Sequence, residues 1–191
     1  MQVYVYTGEG GGKTTNALGL ALRCIGHKKK VIVIQFMKWW KNIGELKFAK
    51  LKAVRPYFSI YQFGRPGWLK LKNGKQNIVK INGISLKVRS IEELDRARCK
   101  EAINFTKQIV AREKPHLLVL DEIILANYFK LLSLDEIKDL LAYIARVHKS
   151  CNVVLTGRYA SKELIELSDY ANEIKILKMP KKISSVVGIQ Y

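Results

Sequence analysis

A parallel β-sheet covered on both faces by helices is the α/β fold class that this sequence predicts, and three observations predict it. Apolar runs of strand length recur at residues 2–6, 31–36, 117–120 and 152–155, continuous rather than alternating, as in strands buried on both faces. Stretches with helical spacing lie between them. A glycine-rich turn joins the first strand directly to the first helix. The length of 191 residues suits one domain spanning 1–191.

The elements follow in order. Residues 2–6 read as a buried strand that runs into Thr7-Gly8-Glu9-Gly10-Gly11-Gly12-Lys13-Thr14-Thr15. Ala17, Leu20, Ala21, Cys24 and Ile25 then repeat at helical spacing until Gly26 stops the helix. Residues 31–36 are a β-branched strand, 44–54 a short helix and 58–63 another strand. Within 64–89, Asn73-Gly74 and Asn82-Gly83 each sit beside alternating Leu-Lys or Val-Arg pairs. Asn-Gly suits the positive φ angles of tight hairpin turns, so 68–89 reads as a small antiparallel β meander inserted into the domain, with one basic face. Ser90-x-x-Glu93 reads as a capping box opening a helix to residue 113, and Ser133-x-x-Glu136 as another, ahead of Ile137, Leu140, Leu141 and Ile144 on one face. A strand at 152–155 leads to Thr156-Gly157-Arg158, followed by a short helix at 161–167 and a last strand at 173–177.

Composition removes several classes. With 48% apolar and 26% charged residues the chain is neither disordered nor fibrous. Three cysteines, Cys24, Cys99 and Cys151, with no C-x-x-C pair exclude a disulfide scaffold and a zinc ribbon and point to a reducing cytoplasm. No apolar run is long enough to span a membrane, and the start lacks a signal-peptide pattern. Net charge is +18, of which residues 1–91 carry +16, because Glu9 and Glu45 are their only acids. Such a field attracts anions: nucleotides, nucleic acid or an acidic protein.

The chemistry concentrates at three places. In the 7–15 loop, glycines let successive N–H groups turn toward an anion, the helix start adds partial positive charge, and Lys13 offers an ammonium to outer phosphates. Thr14 is placed to offer its hydroxyl to Mg²⁺. The loop starts with Thr7 where the usual G-x-x-x-x-G-K-[ST] pattern has glycine. Asp121, closing a Leu/Val strand, is where a P-loop protein holds its magnesium, and Glu122 beside it reads as a second metal-shell group or a base. Arg158 follows a strand end at the ligand edge of the sheet. Trp39-Trp40 read as a stacking pair or as packing, and His27, His116 and His148 as structural.

These pieces resemble one family. The shortened P-loop, Gln35-Phe36-Met37-Lys38, Gly44-Glu45-Leu46, Leu120-Asp121-Glu122-Ile123, Thr156-Gly157-Arg158, Ser168-Asp169 with Glu173, and Gly188-Ile189-Gln190-Tyr191 occur in the order found in ATP:corrinoid adenosyltransferases. The resemblance implies a P-loop, RecA-like domain that transfers the 5′-deoxyadenosyl group of ATP to reduced corrinoid cobalt and releases triphosphate. It implies Thr7, Gly8, Glu9, Gly10, Gly11, Gly12, Lys13, Thr14 and Thr15 around the nucleotide, with Thr14, Asp121 and Glu122 around Mg²⁺. Lys13, Glu122 and Arg158 are then the groups acting on the reaction. It further implies a cytoplasmic homodimer, the corrinoid as substrate, and a reducing, flavodoxin-like partner.

The sequence departs from that pattern in places. Where the family carries G-x-G-F-x-W, whose aromatics crowd the lower face of the corrin, this chain has Gly64-Arg65-Pro66-Gly67-Trp68-Leu69-Lys70, so the resemblance implies Trp68 as a corrin-binding residue in place of the first aromatic, with Lys70 in place of the second. Ile123-Ile124 replaces Ile-Asn, and Met1 opens the first strand where many members have an N-terminal extension. The basic 68–89 segment is expected to act as a lid over the corrin or a docking face for an acidic reductant. The rival reading is a RecA-like P-loop ATPase acting on nucleic acid through the basic half. A thymidine-kinase-like reading lacks its zinc-binding C-x-x-C pairs.

Overall fold

The computed structural model describes residues 1–69, 78–81, 84–180 and 186–189. The central sheet has six strands: β1 (Val3–Thr7), β2 (Val31–Phe36), β3 (Phe58–Phe63), β7 (Leu117–Asp121), β8 (Asn152–Thr156) and β9 (Tyr170–Glu173). Their order is β3-β2-β7-β8-β1-β9, and every pairing is parallel. Parallel direction puts every strand's carboxyl end, and the loop after it, on one edge of the sheet. Strand β8 lies between β1, which feeds the glycine-rich loop, and β7, which ends in Asp121.

Successive residues of the buried strands serve opposite faces. Ile32, Ile34, Phe36, Leu118 and Leu120 join one core with Cys99, Ala102 and Ile109 of α3 (Glu93–Glu113) and Ile137, Leu140 and Ile144 of α5 (Leu134–Val147). Val31, Val33, Leu117, Val119 and Val154 join the other with Ala17 and Ala21 of α1 (Lys13–Gly26). Both faces being apolar is why these strands carry no polar alternation. The one polar residue in VIVIQF, Gln35, is fully buried.

Several local expectations are corrected. Helix α2 (Gly44–Phe48) stops well before residue 54 and gives way to turns. The box that opens α3 is formed by Glu92 and Asp95 rather than Ser90 and Glu93, because Asp95 also answers Arg89 and is buried where Glu93 faces solvent. The Ser133–Glu136 box on α5 is present as read. A short helix, α4 (Ile123–Tyr128), directly follows β7; its apolar residues continue the strand's run, so no periodicity break announces it. The last strand is β9, at 170–173 rather than 173–177. Asp169 Oδ2 takes the Val3 N–H at 2.7 Å and Tyr170 stacks on Tyr4 at 4.8 Å, which fixes the register early.

In the inserted segment, β5 (Ile78–Ile81) and β6 (Ile84–Arg89) pair antiparallel, while β4 (Trp68–Leu69) pairs with β6 in parallel. The antiparallel hairpin is as read, but β4 joins it from the other direction. The Asn73-Gly74 and Asn82-Gly83 turns lie outside the described residues. His148 caps the end of α5, with its Nε2 3.0 Å from the Pro115 carbonyl, a structural position. No helix among the described residues is long and apolar enough to cross a membrane.

Candidate functional site

The loop after β1 curls over the end of the sheet and rests on Ile174, just past the end of the neighbouring strand β9. Gly8 adopts φ 100°, and a Cβ there would lie 2.4 Å from the Ile174 carbonyl oxygen, so both the conformation and the contact call for glycine. Gly10 N–H donates to the same carbonyl at 2.8 Å. Thr7 closes the loop from behind, its Oγ1 accepting the Ala160 N–H at 3.1 Å. Gly12 then caps the start of α1.

Lys13 opens that helix and folds its ammonium back into the loop, donating to the Gly8 carbonyl at 2.8 Å and the Gly10 carbonyl at 2.6 Å. Burial, and then the nearby Arg158 guanidinium, push its pKa down, against Glu122 and Asp121, which favour the charge. The next residue turns the other way. Thr14 Oγ1 donates to Asp121 Oδ1 at 2.8 Å.

Asp121 is fully buried and every place on its carboxylate is taken. Oδ1 also accepts from Thr156 Oγ1 at 2.6 Å, and Oδ2 accepts from Lys38 Nζ at 2.6 Å and Gln35 Nε2 at 3.2 Å. Burial works against the charge on Asp121, but Lys38, with the Thr156 and Thr14 hydroxyls, outweighs it and holds the carboxyl below its usual range. Burial likewise opposes the Lys38 charge, and Asp121 with Glu122 overcome it, so that ammonium is held above its ordinary value.

Glu122 follows in a left-handed conformation, φ 66°, that turns the chain from β7 into α4. Its N–H donates to Thr156 Oγ1 at 3.0 Å, while its Oε2 is buried with no hydrogen-bond partner among the described residues. Burial and then the neighbouring Asp121 push its carboxyl upward, against Lys38, Lys13 and Arg158. An unpartnered carboxylate oxygen beside a hydroxyl and a buried aspartate is a donor set of hard oxygens. Among the described residues no three His, Cys, Asp or Glu side chains gather as a metal cage. Mg²⁺ fits such a sparse set, since it commonly takes one or two carboxylates and completes its shell with substrate phosphates and water.

A cleft of about 1050 Å³ opens over these groups. Its lining includes the loop from Gly10 to Thr15, with Lys38, Glu122 and Arg158, and the aromatic residues Phe36, Trp39, Trp40, Phe48 and Phe129. Trp39 Nε1 donates to the Gly67 carbonyl at 3.3 Å, tying the tryptophan loop to the segment before β4. Lys13, Thr14, Asp121, Glu122 and Arg158 therefore come together from three strand ends. Thr7, Gly8 and Glu9 do not line the cleft, although the Gly8 carbonyl holds Lys13. The Trp68 side chain lies outside the described residues.

Sequence reasoning did not assign roles to Gln35, Lys38, Gln62 or Thr156. Gln62 Nε2 donates to Gln35 Oε1 at 2.9 Å and to the Trp40 carbonyl at 3.2 Å, and Gln35 passes the chain of hydrogen bonds on to Asp121. A glutamine inside an otherwise apolar strand was the available signal for this network. Nothing in the spacing points to Lys38, which reaches Asp121 from the loop after the neighbouring strand β2.

A parallel sheet, a strand interposed between the loop strand and the aspartate strand, and a glycine-rich loop opening the first helix define an α/β fold of the P-loop type. The chain belongs to the ATP:corrinoid adenosyltransferase family (BtuR/CobO/CobP), whose profile matches residues 1–191. It is similar to the corrinoid adenosyltransferase of Escherichia coli K12, at 28% identity over 99% of this chain and 85% of that protein. It is also similar to the corrinoid adenosyltransferase CobA of Salmonella typhimurium, at 27% over 99% of this chain and 85% of that one. The corrinoid adenosyltransferase of Pseudomonas aeruginosa is 28% identical over 98% and 82%. The chain is thus a member of a transferase family.

Proposed function

We propose that the protein transfers the 5′-deoxyadenosyl group of MgATP to the cobalt of a reduced corrinoid and releases inorganic triphosphate. The observation that carries this reading is the meeting of Lys13, Thr14, Asp121, Glu122 and Arg158 at one sheet edge, in a member of this family. In this reading residues 1–191 form one nucleotide-binding domain, with 68–89 as an insertion beside the corrinoid.

The roles follow from charge. When the C5′–O bond breaks, its electron pair leaves on the triphosphate, and the Co–C bond forms with the electron pair of Co(I). The nucleophile belongs to the substrate, so the chain needs none of its own. Its task in this reading is to hold the triphosphate where negative charge accumulates: the Lys13 ammonium, on leaving the Gly8 and Gly10 carbonyls, the Arg158 guanidinium and the start of α1 would supply the positive charge there. Thr14, Asp121 and Glu122 would hold Mg²⁺, which supplies shielding of the phosphate charges when bound. The aromatic residues that line the cleft, among them Trp39, Trp40 and Phe129, offer apolar surface to the flat adenine or the corrin rim, and Trp68 is assigned to the corrin by the family pattern. A cytoplasmic homodimer served by an acidic, flavodoxin-like reductant completes the reading.

The rival reading, an ATPase acting on nucleic acid, draws on the +16 charge of residues 1–91. Product analysis separates the two. Triphosphate formed in equal amount to alkylated corrinoid supports the transferase, whereas ADP and phosphate, with turnover raised by DNA or RNA, supports the ATPase.

A further inference from the structure

We propose that Lys38 is a displaceable internal counter-ion: its ammonium holds the metal-facing oxygens of Asp121 and Thr14 together until a metal–nucleotide complex enters, then gives up that position and turns to the phosphate chain. The proposal rests on the reading of Thr14 and Asp121 as metal-facing groups.

Lys38 Nζ lies 2.6 Å from Asp121 Oδ2 and 3.3 Å from Thr14 Oγ1, so it already touches both groups. Asp121 has no free acceptor position, because two donors fall on each oxygen. Any cation that comes to this carboxylate must remove one of them. Thr156 and Gln35 are fully buried, and Gln35 is pinned further by Gln62 and by Glu45 Oε1 at 3.4 Å. The Thr14 hydroxyl can rotate in place and offer its oxygen instead of its proton. Lys38 alone of the four is a long, flexible side chain that is also part-exposed along its length, at 30%.

The backbone that carries Lys38 is, by contrast, held firmly. Met37 has φ 59° and donates its N–H to the Phe63 carbonyl at 3.0 Å, and a Cβ on Gly64 would lie 2.4 Å from the Met37 carbonyl carbon. Exchange therefore takes place by rotation about the lysine side-chain bonds on a fixed anchor. A divalent ion beside an ammonium is strongly repulsive, whereas a triphosphate attracts one, so the same ligand that expels Lys38 from Asp121 gives it a new partner. Lys38 lines the same cleft as Lys13 and Arg158, which makes it a third cation for the leaving triphosphate once released.

The test measures binding of Mn²⁺ alone, in place of Mg²⁺, by electron paramagnetic resonance, for wild type, Lys38→Met, Lys38→Arg and Lys41→Met. Melting curves establish that each variant is folded. Lys38→Met should bind nucleotide-free Mn²⁺ about tenfold more tightly or better. Lys38→Arg, which keeps the charge, should stay near wild type, and Lys41→Met, which removes an exposed charge from the same loop, should change affinity far less. A second measurement uses the wild type: saturating Mn²⁺ should raise acylation of Lys38 by acetic anhydride, read by mass spectrometry. Unchanged Mn²⁺ affinity in Lys38→Met, an equal gain in Lys41→Met, or unmoved acylation overturns the proposal. Asp121→Asn and Thr14→Ala separate the two failures. If both leave the metal dependence of ATP binding intact, the metal site itself is wrong and the exchange falls with it; if they abolish that dependence while Lys38→Met gains nothing, only the exchange falls.

Discussion

Thr14 Oγ1 donates a 2.8 Å hydrogen bond to Asp121 Oδ1, joining two residues that lie 107 positions apart in the chain. The bond spans the edge of the sheet from the start of α1 to the end of β7, over the intervening strand β8, whose Thr156 Oγ1 reaches the same oxygen. Lys13 precedes Thr14 and Glu122 follows Asp121, so this one contact sets the distance between the phosphate-facing and metal-facing parts of the proposed site.

Lys13 is the cation held deepest in the loop, and its ammonium is carried by backbone carbonyls rather than by a carboxylate. Lys13→Ala should lower kcat/KM for adenosyl transfer by about a hundredfold or more, since donors aimed at developing charge commonly contribute that much. Steady-state kinetics under anaerobic conditions measure it. Near-normal activity would remove the loop from the phosphate site.

Gly8→Ala puts a methyl group against the Ile174 backbone at a φ of 100°. The variant should lose about 1–3 kcal/mol of stability from backbone strain alone, together with affinity for ATP. Urea denaturation and calorimetric titration give the two numbers. A variant as stable as the wild type would show that the loop can move off Ile174 freely.

Arg89 ties β6 of the inserted segment to the start of α3 through two 2.6 Å hydrogen bonds to Asp95, which is 4% exposed. Arg89→Leu should cost about 3 kcal/mol, because it removes the two-point partner of a buried carboxylate and leaves it only Arg65 at 3.7 Å and the Glu92 N–H. Burial works against the Asp95 charge, but Arg89 and the Glu92 N–H outweigh it and hold the carboxyl below its usual range. A depressed acid stabilises the fold above its unfolded value, near ~3.9, and loses that contribution as pH falls through the folded value. The stability gap between wild type and variant should therefore be constant at neutral pH and close below about pH 4. Chemical denaturation across that range checks the sign; a gap that widens in acid contradicts it.

Trp68 begins β4, between Gly67 and Leu69, both of which line the cleft. Trp68→Ala should weaken corrinoid binding by about tenfold, in line with the loss of one large aromatic contact, and leave ATP affinity unchanged. Titration of each ligand separately measures the pair. Unchanged corrinoid affinity would remove Trp68 from the site.

Much of this was legible in the sequence because it rests on local chemistry. The glycine run ahead of Lys13-Thr14, the acid closing the Leu117–Asp121 strand and the Ser133–Glu136 cap each appear within a few residues of one another. What escaped is tertiary. Asp95, not Glu93, completes the α3 cap because Arg89 lies beside it in space. β9 starts at Tyr170 because Asp169 and Tyr170 find Val3 and Tyr4, whereas the better-patterned residues from 174 onward lie past the β1 pairing. α4 is hidden by an apolar run that continues out of β7 through a left-handed Glu122. Lys38 is two residues past a strand, and only the strand order brings it to Asp121.

The most direct measurement is anaerobic incubation of the protein with MgATP and chemically reduced cobalamin, followed by its visible spectrum before and after exposure to light. The account predicts a photolabile cobalt–carbon product formed together with triphosphate. ATP binding with no such product, or hydrolysis to ADP that nucleic acid accelerates, would contradict it.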